Sequence, residues 1–150
     1  MARALIVGCG CRGRELGVFL RKQGWAVRGT SRRKEGLAPI EAAGIEPALA
    51  DPEHPATVLD LVADVAAVYW LLGSASGKPE NIGAIHGPRL ERLLERLVET
   101  PVRRFVYEAF GSVDPEVLAG GAALVERAAE TWRIPVEVMR SPGPNALRAS

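Results

Sequence analysis

At 150 residues and 47% hydrophobic content, the chain has material for one buried core and falls within the usual range of a single domain. A net charge of +1 gives no basic excess to recruit nucleic acid or an anionic membrane surface, and no apolar run reaches bilayer-spanning length. Cys9 and Cys11, one residue apart, cannot build a disulfide framework, and an apolar start that breaks at Gly8 lacks the shape of a signal peptide, so the cytoplasm is the expected compartment.

Strand and helix patterns alternate along the whole sequence. An apolar run over Ala2 to Val7 predicts the first strand. A helix over Arg12 to Gln23 follows and is closed by Gly24, and a second strand covers Trp25 to Gly29. The polar, basic stretch Thr30-Ser31-Arg32-Arg33-Lys34 reads as a loop. A short helix over Leu37 to Ala43, a third strand over Ile45 to Ala50, a helix over Pro55 to Val62 and a strongly apolar fourth strand over Val65 to Leu72 come next.

Gly73 to Gly83 reads as a Gly/Ser/Ala loop. Leucines 90, 93, 94 and 97 with Val98 make one stripe of an amphipathic helix over Pro88 to Glu99, most simply a core-facing stripe, although such helices also pair between subunits of a homodimer. Val102 to Tyr107 is the fifth strand and Phe110 to Pro115 a loop. Pro115 to Trp132 is a helix weakened by Gly120 and Gly121. Pro135 to Met139 is the sixth strand, and residues 141–150 read as a tail. Six strands joined by helical crossovers predict an α/β doubly wound parallel sheet, a Rossmann fold of order 3-2-1-4-5-6, as a single domain over residues 1–150.

The first strand runs straight into Gly8, Gly10 and Gly13, a G-x-G-x-x-G spacing that opens a helix. Gly8 permits the turn, Gly10 lets a phosphate approach the backbone, and Gly13 lets helix and strand pack closely. With Cys11 and Arg12 in the same turn, this predicts a diphosphate on the helix N-terminus. At the end of the second strand, where NAD-binding folds place a carboxylate, the chain has Thr30, Ser31, Arg32 and Arg33. Hydroxyls and guanidiniums there suit a 2′-phosphate, which predicts NADP(H) over NAD(H). Asp51 at the end of the third strand and Leu72-Gly73 after the fourth should border the same crevice. Asp51 is read either as a partner of the adenine amino group or as a helix N-cap.

The remaining candidates are lesser ones. Ser74, Ser76 and His86 sit near the loop after the fourth strand. Cys9 and Cys11 are read as small loop residues or, less simply, as offering a redox-sensing thiol. His54 and His86 with the two cysteines lack metal-ligand spacing, so no metal is expected. Trp25, Trp70 and Trp132 read as core. Glu108, at the C-terminal edge of the fifth strand, is the best-placed lone acid/base candidate, with an exposed carboxylate as the alternative.

The segments VGCGCRGRELG (7–17), GTSRR (29–33), VYWLLG (68–73) and RRFVY (103–107), together with Asp51 and the stretch 124–145, resemble the atypical short-chain dehydrogenase/reductases, the epimerase/dehydratase-like and NmrA-like group. The resemblance implies a Rossmann fold and dinucleotide binding. It does not carry catalysis. The family's Tyr-x-x-x-Lys pair is missing, since neither Tyr69 nor Tyr107 has a lysine four residues on. Glu108-Ala109-Phe110 stands where a serine is expected, with Ser112 near but shifted, and the C-terminal substrate-binding part of the family has no counterpart in these residues.

Two functions therefore stay open on sequence grounds. One is an NADP(H)-dependent oxidoreductase acting on a small carbonyl or enone. The other is a non-catalytic NAD(P)-sensing or partner-binding module. A nucleotide-gating domain of the potassium-transport regulator type is a weaker third.

Overall fold

The computed structural model describes residues 1–142; most of the expected tail lies outside the described residues. The strands are β1 (Arg3–Val7), β2 (Ala26–Ser31), β3 (Glu46–Leu49), β4 (Ala67–Trp70), β5 (Arg104–Glu108) and β6 (Val136–Met139). The helices are α1 (Cys11–Lys22), α2 (Leu37–Ala42), α3 (Pro55–Leu59), α4 (Pro79–Ile85), α5 (Pro88–Leu97) and α6 (Pro115–Trp132), with a 3-10 turn at Lys34–Gly36. All strands are parallel, in the order β3-β2-β1-β4-β5-β6 expected from the sequence.

Alternation along the central strands divides the core in two. Leu5, Val7, Val68, Trp70, Phe105 and Tyr107 belong to the larger cluster, with the buried leucines of α5 and Ala122, Val125 and Ala128 of α6. Ala4, Ile6, Tyr69, Leu71 and Val106 point the other way, into a cluster with Leu16 and Leu20 of α1 and Ile40 of α2. Burial on both faces explains why β4 reads as unbroken apolar sequence. The leucines of the stripe on α5 are core: Leu90, Leu93, Leu94 and Leu97 are all fully buried, each stabilising by about 1.5–3 kcal/mol, whereas Val98, expected in the same stripe, caps the helix and is 49% exposed. Of the tryptophans, Trp70 is fully buried, while Trp25 and Trp132 pack at the edges of the two clusters.

Four departures from the sequence reading have a local cause. β2 continues through Thr30 and Ser31, because β3 supplies ladder partners at Ala48 and Leu49. β5 takes in Glu108, which pairs with Met139 of β6. α4 lies inside the stretch expected to be loop; Pro79 in its first turn starts it after the Gly/Ser run ends. α6 is not interrupted at its glycines. A Cβ at Gly121 would lie 2.0 Å from Tyr107 Oη, so the glycine is a slot for that hydroxyl rather than a weak point.

Candidate functional site

The C-terminal ends of β1, β2, β4 and β5 and the segment after β3 open into a cleft of about 530 Å³. This is the edge at which open parallel sheets bind ligands. Its centre is the glycine turn. Gly8 has φ +87°, and a Cβ there would sit 2.5 Å from the Leu71 carbonyl oxygen, so only glycine fits. A Cβ on Gly13 would come within 3.0 Å of the Gly8 oxygen and 3.2 Å of Ile6, which is the tight helix–strand contact the spacing predicts. Gly10 is different in kind: a Cβ there meets nothing within 4 Å, so its open side faces the cleft rather than protein.

The N-terminus of α1 lacks the usual partners. The amide of Gly10 donates to the Gly8 oxygen at 3.0 Å and that of Arg14 to the Gly10 oxygen at 2.8 Å. The amides of Cys11, Arg12 and Gly13, between them, have no hydrogen-bond acceptor among the described residues. No side chain caps the helix, and no acidic residue lies in its first turn. Arg12 and Arg14 stand there instead, where the helix dipole disfavours cations. By contrast, α6 is capped by Asp114, which accepts from the Glu116 amide at 2.9 Å.

Gly8, Gly10, Cys11, Arg12, Gly13, Thr30, Ser31, Arg32, Asp51 and Leu72 all line the cleft, as does Glu108. Arg33, Gly73 and Ser112 are not part of its lining. The basic segment divides by function. Thr30 is buried, and its hydroxyl accepts from the Gly8 amide at 3.3 Å, bracing the glycine turn. The Ser31 hydroxyl donates to the Arg33 carbonyl at 2.7 Å and accepts from the Arg33 amide at 3.1 Å. That local turn carries Arg33 away on the surface. Of the two arginines in this segment, Arg32 is the one that lines the cleft. It donates to the Ser76 carbonyl at 3.2 Å across the opening and lies 3.9 Å from Glu53.

Asp51 is not the N-cap of α3. That position is held by His54, without a side-chain hydrogen bond, and Asp51 Oδ1 accepts from the Glu53 amide at 2.9 Å in an Asx turn. Cys9 is buried, stacked on the bare Cα of Gly29, and burial pushes its thiol up to about 11. Cys11 is exposed at the start of α1.

Glu108 is the main correction to the exposed-carboxylate alternative. It is 3% exposed. Its Oε1 accepts from the Gly73 amide at 2.9 Å and its Oε2 from Arg12 Nη1 at 3.1 Å. Burial raises its pKa above the ordinary carboxylate value, opposed by the Gly73 amide and the Arg12 charge. Arg12 is itself braced by the Phe110 ring, 4.5 Å from its guanidinium carbon.

His86 sits behind the cleft wall, not in it. Its Nε2 donates to the Leu72 carbonyl at 2.9 Å and its Nδ1 accepts from the Tyr107 hydroxyl at 2.7 Å; burial keeps the ring neutral. α6 contains neither tyrosine nor lysine, so it offers no Tyr/Lys pair to the cleft. Sequence reasoning missed Glu53, Pro52 and Ile85 as lining residues and Phe110 as the brace of Arg12. No local motif marks them. Among the described residues no cluster of three or more His, Cys, Asp or Glu is positioned to hold a metal, and no helix is long and apolar enough to cross a membrane.

The fold and the glycine turn define a Rossmann-type domain of the kind found in short-chain dehydrogenase/reductase and epimerase structures. No family model and no curated protein matches the sequence. Solved structures do match in fold. A short-chain dehydrogenase/reductase superfamily protein from Agrobacterium tumefaciens with bound NAD shares 22% identity at a TM-score of 0.75, over 92% of this chain and 48% of that one. UDP-glucuronic acid 4-epimerase from Bacillus cereus in complex with NAD shares 17% identity at 0.73, over 92% and 55%. UDP-glucose 4-epimerase from Thermotoga maritima with UDP-glucose shares 14% at 0.76, over 92% and 54%. The chain thus spans about half the length of the structures it resembles.

Proposed function

We propose that the cleft binds a nicotinamide dinucleotide, with its diphosphate on the first turn of α1. The observation that carries this reading is the state of that turn: three partnerless amides, no cap, no acid and two arginines beside a glycine with open space in front of it. Such a terminus is poorly balanced by itself and well balanced by an anion. The NAD in two of the fold neighbours supports the same ligand class.

Among nicotinamide dinucleotides we favour NADP(H). β2 ends in Ser31 with no carboxylate to repel a 2′-phosphate, and Arg32 is the guanidinium available to bind it. Glu53 stands nearby and competes for Arg32, so the preference rests on one side chain rather than two. Calorimetric titration with NADPH and NADH tests both levels. Tighter NADPH binding is expected. Equal or tighter NADH binding overturns the preference, and failure of both to bind overturns the dinucleotide reading.

The activity that fits best is an oxidoreductase using this cofactor on a small carbonyl compound, in the cytoplasm, with Glu108 rather than Ser112 as the acid/base group. The missing Tyr/Lys pair on α6 favours a second reading, a non-catalytic NAD(P)-sensing or partner-binding module. Oxidation of NADPH with a panel of aldehydes and ketones separates the two.

A further inference from the structure

Arg12 and Glu108 form an unequal ion pair. The Arg12 side chain is 40% accessible at the mouth of the cleft, in the same turn as the partnerless amides; that of Glu108 is 5% accessible and anchored by the Gly73 amide. The arginine is the solvent-facing partner, resting on the Phe110 ring, and the carboxylate is the buried one. A diphosphate seated on the first turn of α1 presents its charge to the same guanidinium, and the bidentate geometry of phosphate suits arginine better than the single Nη1–Oε2 contact at 3.1 Å.

The other groups around Glu108 do not replace Arg12. From α1, Cys11 and Arg14 share the first turn, and Arg14 acts on Cys9. From the segment after β4, His86 is neutral and spent on Leu72 and Tyr107. Tyr107, next to Glu108 in β5, belongs to the opposite face, and from β6 the register partner is the apolar Met139. A carboxylate in this position without its guanidinium is buried with only the Gly73 amide left to balance its charge, which favours uptake of a proton.

Resting on the dinucleotide reading above, we propose that cofactor binding draws Arg12 from Glu108 to the diphosphate and leaves Glu108 as a neutral carboxylic acid at the reacting end of the cleft. With its diphosphate on the glycine turn and its adenosine toward β2 and β3, the dinucleotide would extend its second nucleoside toward the ends of β4 and β5, where Leu72 and Glu108 line the cleft. The proton comes from water on binding. The acid is then a donor to a substrate carbonyl oxygen, and water restores it after each donation.

The test is proton uptake on binding. NADPH is titrated into the protein by calorimetry in buffers of differing ionisation enthalpy, between about pH 5 and about pH 9. The wild type is expected to take up close to one proton more than Glu108→Gln at the pH of maximum uptake. The 2′-phosphate titrates equally in both and cancels. Arg12→Ala, already neutral at Glu108 when free, is expected to bind more weakly and to lack the uptake; it carries the comparison if Glu108→Gln does not fold. Infrared difference spectra should show a protonated-carboxyl band on binding in the wild type alone. Equal proton exchange by wild type and variants at every pH overturns the proposal while leaving dinucleotide binding intact; absence of NADPH and NADH binding overturns the earlier reading instead.

Discussion

The His86 ring and the Tyr107 hydroxyl meet at 2.7 Å inside the core, and through His86 they hold one face of the cleft in place. His86 Nε2 donates to the Leu72 carbonyl, while the amide of the same peptide, that of Gly73, donates to Glu108. The Leu72–Gly73 peptide is thus fixed at both polar ends. Tyr107→Phe leaves a buried imidazole nitrogen without a donor and should cost about 1–3 kcal/mol. Urea unfolding should show a lower midpoint with unchanged slope.

The same histidine gives a pH dependence of known sign. Burial lowers its pKa below 6.5, so at acid pH the unfolded chain binds a proton that the folded ring refuses. Its contribution is full above 6.5 and is lost as the pH falls through the folded value. Glu108 runs the other way: its raised pKa gives a contribution present below 4.5 and lost as the pH rises through its folded value. The difference in stability between wild type and His86→Gln, followed across this range, should isolate the histidine and narrow toward low pH.

The first two glycines of the turn should separate folding from binding. Gly8→Ala places a side chain at φ +87° and 2.5 Å from a carbonyl oxygen, so at least about 1–2 kcal/mol of stability should be lost. Gly10→Ala meets no protein atom within 4 Å and should leave stability within about 0.5 kcal/mol of wild type. Its affinity for NADPH should nevertheless fall about tenfold or more, a change of about 1.4 kcal/mol or more, because the methyl group occupies the phosphate's approach. Thermal melts and calorimetry on the two variants read the two effects.

Arg32 and Arg33 are adjacent in sequence and should differ in effect. Arg32→Ala should weaken NADPH binding by about tenfold while changing NADH binding little, since a charge-assisted contact contributes about 1.5–3 kcal/mol. Arg33→Ala, whose residue does not line the cleft, should leave both constants unchanged.

The cysteines offer a chemical check on the same geometry. Iodoacetamide on the native protein should label Cys11 and spare Cys9, which is 5% exposed and whose thiol is pushed up to about 11. Excess NADPH should protect Cys11. Peptide mass spectrometry reports both; labelling of Cys9 without unfolding would contradict its placement against Gly29.

By itself the sequence determined the sheet order and the glycine turn, because both are written in short-range pattern: strand and helix periods, the spacing of Gly8, Gly10 and Gly13, and the handedness of crossovers. It could not determine how polar groups pair across the fold. That Thr30 and Ser31 are occupied by the backbone, and that Arg32 faces the cleft and Arg33 leaves it, were decided by the ladder with β3 and the turn at Ser31. The burial of Glu108 was decided only when β5 brought it to Arg12, 96 residues away. Local pattern reports which face of an element is apolar; the state of a charged group depends on the solvent it loses and the partner it gains, and both are properties of the assembled sheet.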